Sequence, residues 1–212
     1  NLKHIVEARQ FTLPLLMELF GRAKEMERIL KRGGTQDYAG RLMASLFYQR
    51  STLTRFSFES AMSRLGGSVI STENAGTFFS VAREGTLEDT IRAVDDFCDV
   101  IALRFNEAGG AKRAAAVASC PLINAGDGKG GEHPTQALLD LYTIHRETNK
   151  LDGLKVVMSG NLADGRTVRS LSYLLSKFER VKLWFAAPPT MQMKEDILAH
   201  LTEHQIWFSM ED

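Results

Sequence analysis

The chain has 212 residues, of which 44% are hydrophobic, and this is enough to bury the core of one large domain or two small ones without disulfides or metals. Its 26 Lys and Arg residues balance 26 Asp and Glu residues, so no overall field favours nucleic acid or an anionic membrane, and any anion site must be local. The chain has no apolar run as long as a membrane span and only two cysteines, Cys98 and Cys120, without metal-ligand spacing, so the composition predicts a soluble, cytoplasmic protein with reduced thiols.

Helical and strand patterns alternate along the whole chain. In the first part we predict helices at 15–31, 52–65, 86–97, 108–119 and 133–146, and strands at 42–48, 69–71, 99–104 and 122–125. A polar turn at 150–153 is followed by strands at 154–160, 181–186 and 206–209 and helices at 165–178 and 190–200. This alternation predicts an α/β fold with two doubly wound parallel-sheet domains, at 1–149 and 150–212. The second domain has only three predicted strands, so we expect it to be incomplete at its C-terminus.

The segment 51–55 reads Ser-Thr-Leu-Thr-Arg and lies where a buried strand gives way to a helix. The first backbone N–H groups of a helix have no partner within the helix and carry partial positive charge, so they attract anions. Ser51, Thr52 and Thr54 add hydroxyl donors, and together these groups predict a phosphate site. Leu53 is the exception, because it places a hydrocarbon where a second cation is expected.

Arg104 follows an apolar strand at its C-terminal end, where open α/β sheets bind ligands. A structural salt bridge is the alternative interpretation of this arginine. Arg104 is therefore a candidate ligand-binding residue, and its contacts in the folded protein distinguish this role from a structural salt bridge.

His133 and Gln136 are three residues apart at the start of a predicted helix, so they share a face and can point at one ligand. A neutral imidazole can donate a hydrogen bond to a carbonyl oxygen, and the Gln136 amide can meet an NH₂ group. The alternative is that His133 caps its own helix.

Arg166 is predicted at a helix N-terminus, where a cation is unfavourable with respect to the helix dipole. This position suggests that the guanidinium is held there to bind an anion such as a carboxylate. The glycines of the same loop, Gly160 and Gly165, do not make a G-x-G-x-x-G fingerprint, so no nicotinamide cofactor is expected.

Five motifs in register carry a resemblance that spans essentially the whole chain. They are Ser-Thr-Leu-Thr-Arg at 51–55, Leu-Glu-Asp-Thr at 87–90, Asn-Ala-Gly-Asp-Gly at 124–128, His-Pro-Thr-Gln-Ala-Leu-Leu-Asp at 133–140 and Gly-Arg-Thr-Val-Arg-Ser at 165–170. In order and spacing the chain resembles the aspartate branch of the aspartate/ornithine carbamoyltransferase family. The resemblance implies a homotrimer that transfers a carbamoyl group from carbamoyl phosphate to the amine of L-aspartate in pyrimidine biosynthesis, with no metal or organic cofactor.

The resemblance also implies roles for individual residues. It assigns carbamoyl phosphate to residues of the strand-end loops and of a loop from the adjacent subunit: Ser51, Thr52, Thr54, Arg104, His133, Gln136, and the neighbour's Ser80 and Arg83. It implies that the carbonyl oxygen is contacted by Thr54, Arg104 and His133. Gln136 holds the carbamoyl NH₂, and Arg166 holds the α-carboxylate of aspartate.

The chain departs from the family pattern in three places. The family has Arg where this chain has Leu53, and losing one charge-assisted contact to developing charge costs on the order of 3 kcal/mol. Where the family has Lys-Gly-Glu, this chain has Arg-Glu-Gly at 83–85. Family chains also continue further, through residues that bind the aspartate side chain. Two functions follow as hypotheses: an active aspartate carbamoyltransferase, or a catalytically impaired homologue that serves as a structural or regulatory partner.

Overall fold

The computed structural model describes residues 2–73 and 85–212. Two parallel sheets organise this part of the chain, which confirms the predicted doubly wound α/β class. The first sheet has the order β2-β1-β3-β4 and contains four strands: β1 (Leu42–Phe47), β2 (Ser68–Glu73), β3 (Val100–Arg104) and β4 (Leu122–Asn124). The second has the order β5-β6-β7 and contains three: β5 (Lys155–Ser159), β6 (Lys182–Ala186) and β7 (Trp207–Glu211).

Seven α-helices are described. They are α1 (Leu13–Lys31), α2 (Thr52–Arg64), α3 (Leu87–Asp95), α4 (Gly110–Ala115), α5 (Pro134–Thr148), α6 (Arg166–Leu175) and α7 (Glu195–Glu203). Local sequence explains where several of them begin. Thr86 and Asp89 form a reciprocal capping box at the start of α3. Pro14 and Pro134 occupy the first turns of α1 and α5, where a missing N–H costs nothing. No described helix has the length and apolar composition to cross a membrane.

Three predicted helices were wrong in extent, and the one predicted at 165–178 ends at Leu175. The helix predicted at 190–200 begins only at Glu195, because Gln192 is extended and its amide donates to the carbonyl oxygens of Ala187 (2.6 Å) and Glu211 (2.8 Å). The segment before Gln192 is only a single 3₁₀ turn, Pro189–Met191. The helix predicted at 108–119 covers only Gly110–Ala115, because the backbone N–H groups at 119 and 120 bond to the carboxylate of Asp95 instead of continuing the helix.

The hydrophobic cores do not divide at the same place as the sheets. The largest core includes Leu174 and Phe185 of the second unit together with Leu16 of α1 and Leu141 of α5, all fully buried. The first sheet has a separate core around Ile101 of β3 and its covering helices. The helices α1 and α5 therefore pack in one core with the second unit, although both precede its first strand in the chain.

Candidate active site

The predicted site residues come from neighbouring parallel strands. In β1 and β3, Phe47 pairs with Arg104, and in β3 and β4, Leu103 pairs with Asn124. Because the strands are parallel, their carboxyl ends meet at one edge of the sheet. The turn at Ser51, the Arg104 side chain and the loop that leads to α5 therefore lie together.

The predicted phosphate turn begins a helix, as the sequence indicated. Ser51 is the N-cap residue of α2, and its hydroxyl donates to the Thr54 hydroxyl at 2.9 Å instead of capping the backbone. The first N–H groups of α2 are thus left for a ligand. Leu53 lies in this first turn with 85% of its surface exposed, so it neither packs in a core nor supplies a donor.

Three nitrogen-bearing side chains converge on Gly126. A Cβ atom at this glycine would lie 2.6 Å from Nη1 of Arg104, 3.2 Å from Cδ2 of His133 and 3.4 Å from Nε of Arg166. Its φ of +119° is also a conformation that residues with a side chain rarely adopt. The Asn124 side chain fixes the turn by accepting the Gly126 N–H at 2.8 Å. Gly126 is therefore the residue that lets the three side chains approach one another.

Arg104 is buried and donates to the carbonyl oxygen of Ala125 at 3.1 Å. In the described part of the chain it makes no ion pair, so the structural salt-bridge interpretation finds no partner there. Burial, with a further effect from the charge of Arg166, lowers the pKa of Arg104 to about 10, which leaves it cationic at neutral pH. Two guanidinium groups held close together in this way favour an anion between or beside them.

His133 is the N-cap residue of α5, but its side chain makes no capping hydrogen bond, so the alternative that this imidazole caps its own helix was wrong. Its backbone N–H donates to the hydroxyl of Ser170 at 2.9 Å. Burial first, and then the charges of Arg104 and Arg166, lower the pKa of His133 to about 4. The ring is therefore neutral at neutral pH and can donate one hydrogen bond to a carbonyl oxygen.

Arg166 reaches back across the site from the start of α6. It donates to the carbonyl oxygen of Asp127 and, at 3.3 Å, to the side-chain oxygen of Gln49. The Asp127 carboxylate is occupied elsewhere, because it accepts the N–H groups of Gly109 (2.9 Å) and Ala111 (3.0 Å). The positive charge of Arg166 is thus held at the site by neutral oxygens.

Gln136 lies in the first turn of α5 and donates to the carboxylate of Asp140 at 2.9 Å. With its donor end engaged, the amide offers a ligand its acceptor oxygen, which is the group that an NH₂ needs. Gln136, His133 and the first turn of α2 line one cleft of about 370 Å³. Its lining residues are Leu53, Thr54, Ser57, Phe58, Ala61, His133, Thr135, Gln136 and Leu139. The predicted contributors Ser80 and Arg83 lie outside the described residues.

Two supporting residues of the site were not predicted as such. Ser170 belongs to one of the five motifs, but nothing local shows that its hydroxyl meets the backbone of His133. Glu132 is the second: its carboxylate accepts the N–H of Ala8 and the hydroxyl of Ser170 (3.3 Å). An acidic residue directly before His133 was the available sequence signal, although its partners are far apart in the chain.

The fold and the geometry define a class: a doubly wound α/β protein with a cationic ligand site at the carboxyl edge of its sheet. A more particular assignment comes from comparison with known proteins. Residues 3–146 match the family model described as "Aspartate/ornithine carbamoyltransferase, carbamoyl-P binding domain". The chain belongs to the aspartate/ornithine carbamoyltransferase family.

Individual relatives agree with this family. The chain is 56% identical over 203 residues to the chloroplastic aspartate carbamoyltransferase 1 of Pisum sativum, a match that covers 95% of this chain and 52% of the relative. It is 41% identical to the aspartate carbamoyltransferase catalytic subunit of Methanocaldococcus jannaschii, with 98% and 67% covered. The chain thus spans about half the length of the plant relatives it matches.

Solved structures show the same relationship in three dimensions. Trypanosoma cruzi aspartate transcarbamoylase, in complex with carbamoyl phosphate and aspartate, superimposes with a TM-score of 0.92 at 37% identity, covering 98% of this chain and 66% of that one. The M. jannaschii catalytic subunit gives a TM-score of 0.90 at 40% identity, with 100% and 69% covered.

Proposed function

We propose that this protein transfers a carbamoyl group from carbamoyl phosphate to the amine of L-aspartate, as an enzyme of pyrimidine biosynthesis. The observation that carries the proposal is the meeting of Arg104, His133 and Arg166 at Gly126, beside the open first turn of α2. The T. cruzi relative solved with carbamoyl phosphate and aspartate supports the choice of substrates.

The geometry suits acyl transfer to an amine. As the amine nitrogen bonds to the carbonyl carbon, negative charge develops on the carbonyl oxygen, and the bond to the phosphate oxygen then breaks. The guanidinium of Arg104 and a neutral N–H donor from His133 are held in place before the reaction, so they stabilise this charge without reorganising. The N-terminal turn of α2, with Ser51, Thr52 and Thr54, would receive the departing phosphate.

The acceptor amino acid would be held at the same glycine by Arg166, which would bind the α-carboxylate of aspartate. Gln136 would accept from the carbamoyl NH₂. We further propose that the active unit is a homotrimer, in which Ser80 and Arg83 of an adjacent subunit complete each site. The cytoplasm is the proposed location, with the plastid as the alternative because the plant relatives are named chloroplastic.

A catalytically impaired homologue that acts as a structural or regulatory partner is the second candidate, and the exposed Leu53 favours it. A leucine in the first turn of α2 supplies no charge to a departing phosphate. By the magnitude typical of such contacts, its presence costs roughly two to three decades of rate relative to an arginine.

Formation of carbamoyl aspartate by the full-length protein tests both candidates, with Leu53→Arg measured beside the parent. Leu139→Arg is the matched control, because it adds the same charge to an exposed leucine of the same cleft outside the phosphate turn. Turnover by the parent, increased by Leu53→Arg and not by Leu139→Arg, supports the proposal. Turnover that is absent in the parent but present in Leu53→Arg would support the impaired homologue. Turnover that is absent in both the parent and Leu53→Arg would exclude carbamoyl transfer.

A further inference from the structure

A cluster of potential metal ligands lies at the end of α7, outside the carbamoyl phosphate site. Glu203 and His204 follow His200 by three and four residues, so the three side chains share one face of the helix end. One ligand atom from each of the three lies within 4.8 Å of the others. The two imidazole rings are close as well, with centroids 4.0 Å apart.

The hydrogen bonds of the two imidazoles determine which nitrogen is free on each ring. Nδ1 of His204 lies 2.8 Å from the backbone carbonyl oxygen of His200, and because a carbonyl can only accept, this nitrogen carries the proton. The lone pair of His204 is therefore on Nε2. Metal-binding histidines are typically oriented in this way, with the other ring N–H donated to an oxygen.

The hydroxyl of Ser176 determines in the same way which nitrogen of His200 carries the proton. The Ser176 hydroxyl donates to the carbonyl oxygen of Tyr173 at 3.0 Å, so its oxygen is left to accept from Nε2 of His200 at 3.0 Å. The lone pair of His200 is then on Nδ1. Tyr173 also packs edge-to-face against the His200 ring with centroids 4.7 Å apart, which fixes the ring in the half-buried position.

The donor atoms of the cluster also suit a metal. Two imidazole nitrogens and one carboxylate oxygen form a donor set that zinc, nickel and copper prefer over magnesium or calcium.

We propose that His200, Glu203 and His204 form a binding site for a divalent transition metal of the zinc class. Three protein ligands leave one position of a tetrahedral zinc ion open to water or to a group from another molecule. The site belongs to the second sheet unit and does not depend on carbamoyl phosphate binding.

Isothermal titration calorimetry of the full-length protein with ZnCl₂ at pH 7.5 tests the proposal. We expect one zinc ion per chain at this site, and at least a tenfold loss of affinity in His204→Ala, whose side chain is exposed and whose loss should not disturb folding. Ser176→Ala should weaken binding roughly tenfold, because the partners that orient metal ligands typically contribute 10–100-fold. Glu195→Gln, an exposed carboxylate on the same helix, is the control and should bind as the parent does.

Electron paramagnetic resonance of the protein with one equivalent of CuCl₂ provides a second measurement. Coupling to two imidazole nitrogens is expected in the parent and to one in His204→Ala. If the parent protein binds no zinc, the proposal is overturned. It is also overturned if His204→Ala binds zinc and shows nitrogen coupling as the parent does, because the metal would then be held elsewhere.

Discussion

The hydroxyl of Ser170 accepts a hydrogen bond from the backbone N–H of His133 at 2.9 Å, although the two residues are 37 positions apart. Ser170 lies on α6, which follows β5 of the second sheet, and His133 is the N-cap residue of α5, which follows β4 of the first sheet. The bond therefore links the backbone at His133 to the helix that follows β5. Glu132 strengthens the connection, because its carboxylate accepts the Ser170 hydroxyl at 3.3 Å.

Replacing Ser170 by Ala should reduce the free energy of unfolding by about 1–3 kcal/mol, the cost of leaving a buried N–H without an acceptor. Ser172→Ala is the matched control: Ser172 is fully buried on the same helix, but its hydroxyl donates to Val168 of its own helix, so its removal strands no N–H. Urea unfolding of both variants measures the difference. Equal losses in the two variants would show that the bond to His133 does not contribute.

Gly126→Ala should weaken carbamoyl phosphate binding at least tenfold, because the new methyl group would displace the guanidinium of Arg104. Gly160→Ala separates this effect from backbone strain. Gly160 has nearly the same φ, +116° against +119°, but a methyl group there would meet no described atom within 4 Å, so both variants should share a strain of about 1–3 kcal/mol. Ligand-induced thermal shifts report the affinities. If both variants bind carbamoyl phosphate equally well, the close approach at Gly126 is not required.

The stability contributed by His133 should depend on pH. Its pKa is about 4 in the folded protein and 6.5 in the unfolded chain, so the unfolded chain takes up the proton first. The contribution is complete above pH 6.5 and is lost as the pH falls toward 4, by roughly 3 kcal/mol in total. Because His200 and Asp127 titrate in neighbouring ranges, the quantity to measure is the difference between the parent and His133→Gln in urea unfolding at each pH. A difference that stays constant from pH 7 to pH 4 would contradict this assignment.

Arg104→Gln should raise the pKa of His133, because it removes one of the two positive charges that disfavour the imidazolium. If the full-length protein catalyses the proposed carbamoyl transfer, the same variant should lower its kcat/KM at least 100-fold, since it removes a charge aimed at the developing oxyanion. Nitrogen-15 NMR of the His133 ring measures the pKa. An unchanged pKa would mean that the two side chains do not share one electrostatic site.

Leu53→Arg should leave the free energy of unfolding within about 0.5 kcal/mol of the parent, because the side chain is 85% exposed and packs in no core. Any gain in carbamoyl transfer by this variant can then be assigned to the phosphate turn and not to folding. Thermal and urea unfolding are sufficient to check it. A large destabilisation would show that the exposed leucine has a packing role in the assembled protein.

Much of this architecture could be predicted because it is encoded locally. Strand β1 is buried on both faces and is apolar except for Ser45, as is typical of a strand inside a parallel sheet. A capping box fixes the start of α3. The sequence did not predict the helix boundaries near Gln192 and Asp95, because their side chains end or delay helices through hydrogen bonds to distant backbone groups. Such bonds leave no periodic signal in the sequence.

The parallel α/β class, the helix turn at Ser51 and the residue types of the site follow from hydrophobic period, capping or side-chain chemistry within a few positions of the chain. The meeting of Arg104, His133 and Arg166 at Gly126 and the bond from the backbone of His133 to Ser170 exist only in the folded protein. The neutral imidazole of His133 is likewise a tertiary property, because burial and two guanidinium charges from separate strand-end segments set its pKa. These relationships depend on distance through space, which the order of residues along the chain does not specify.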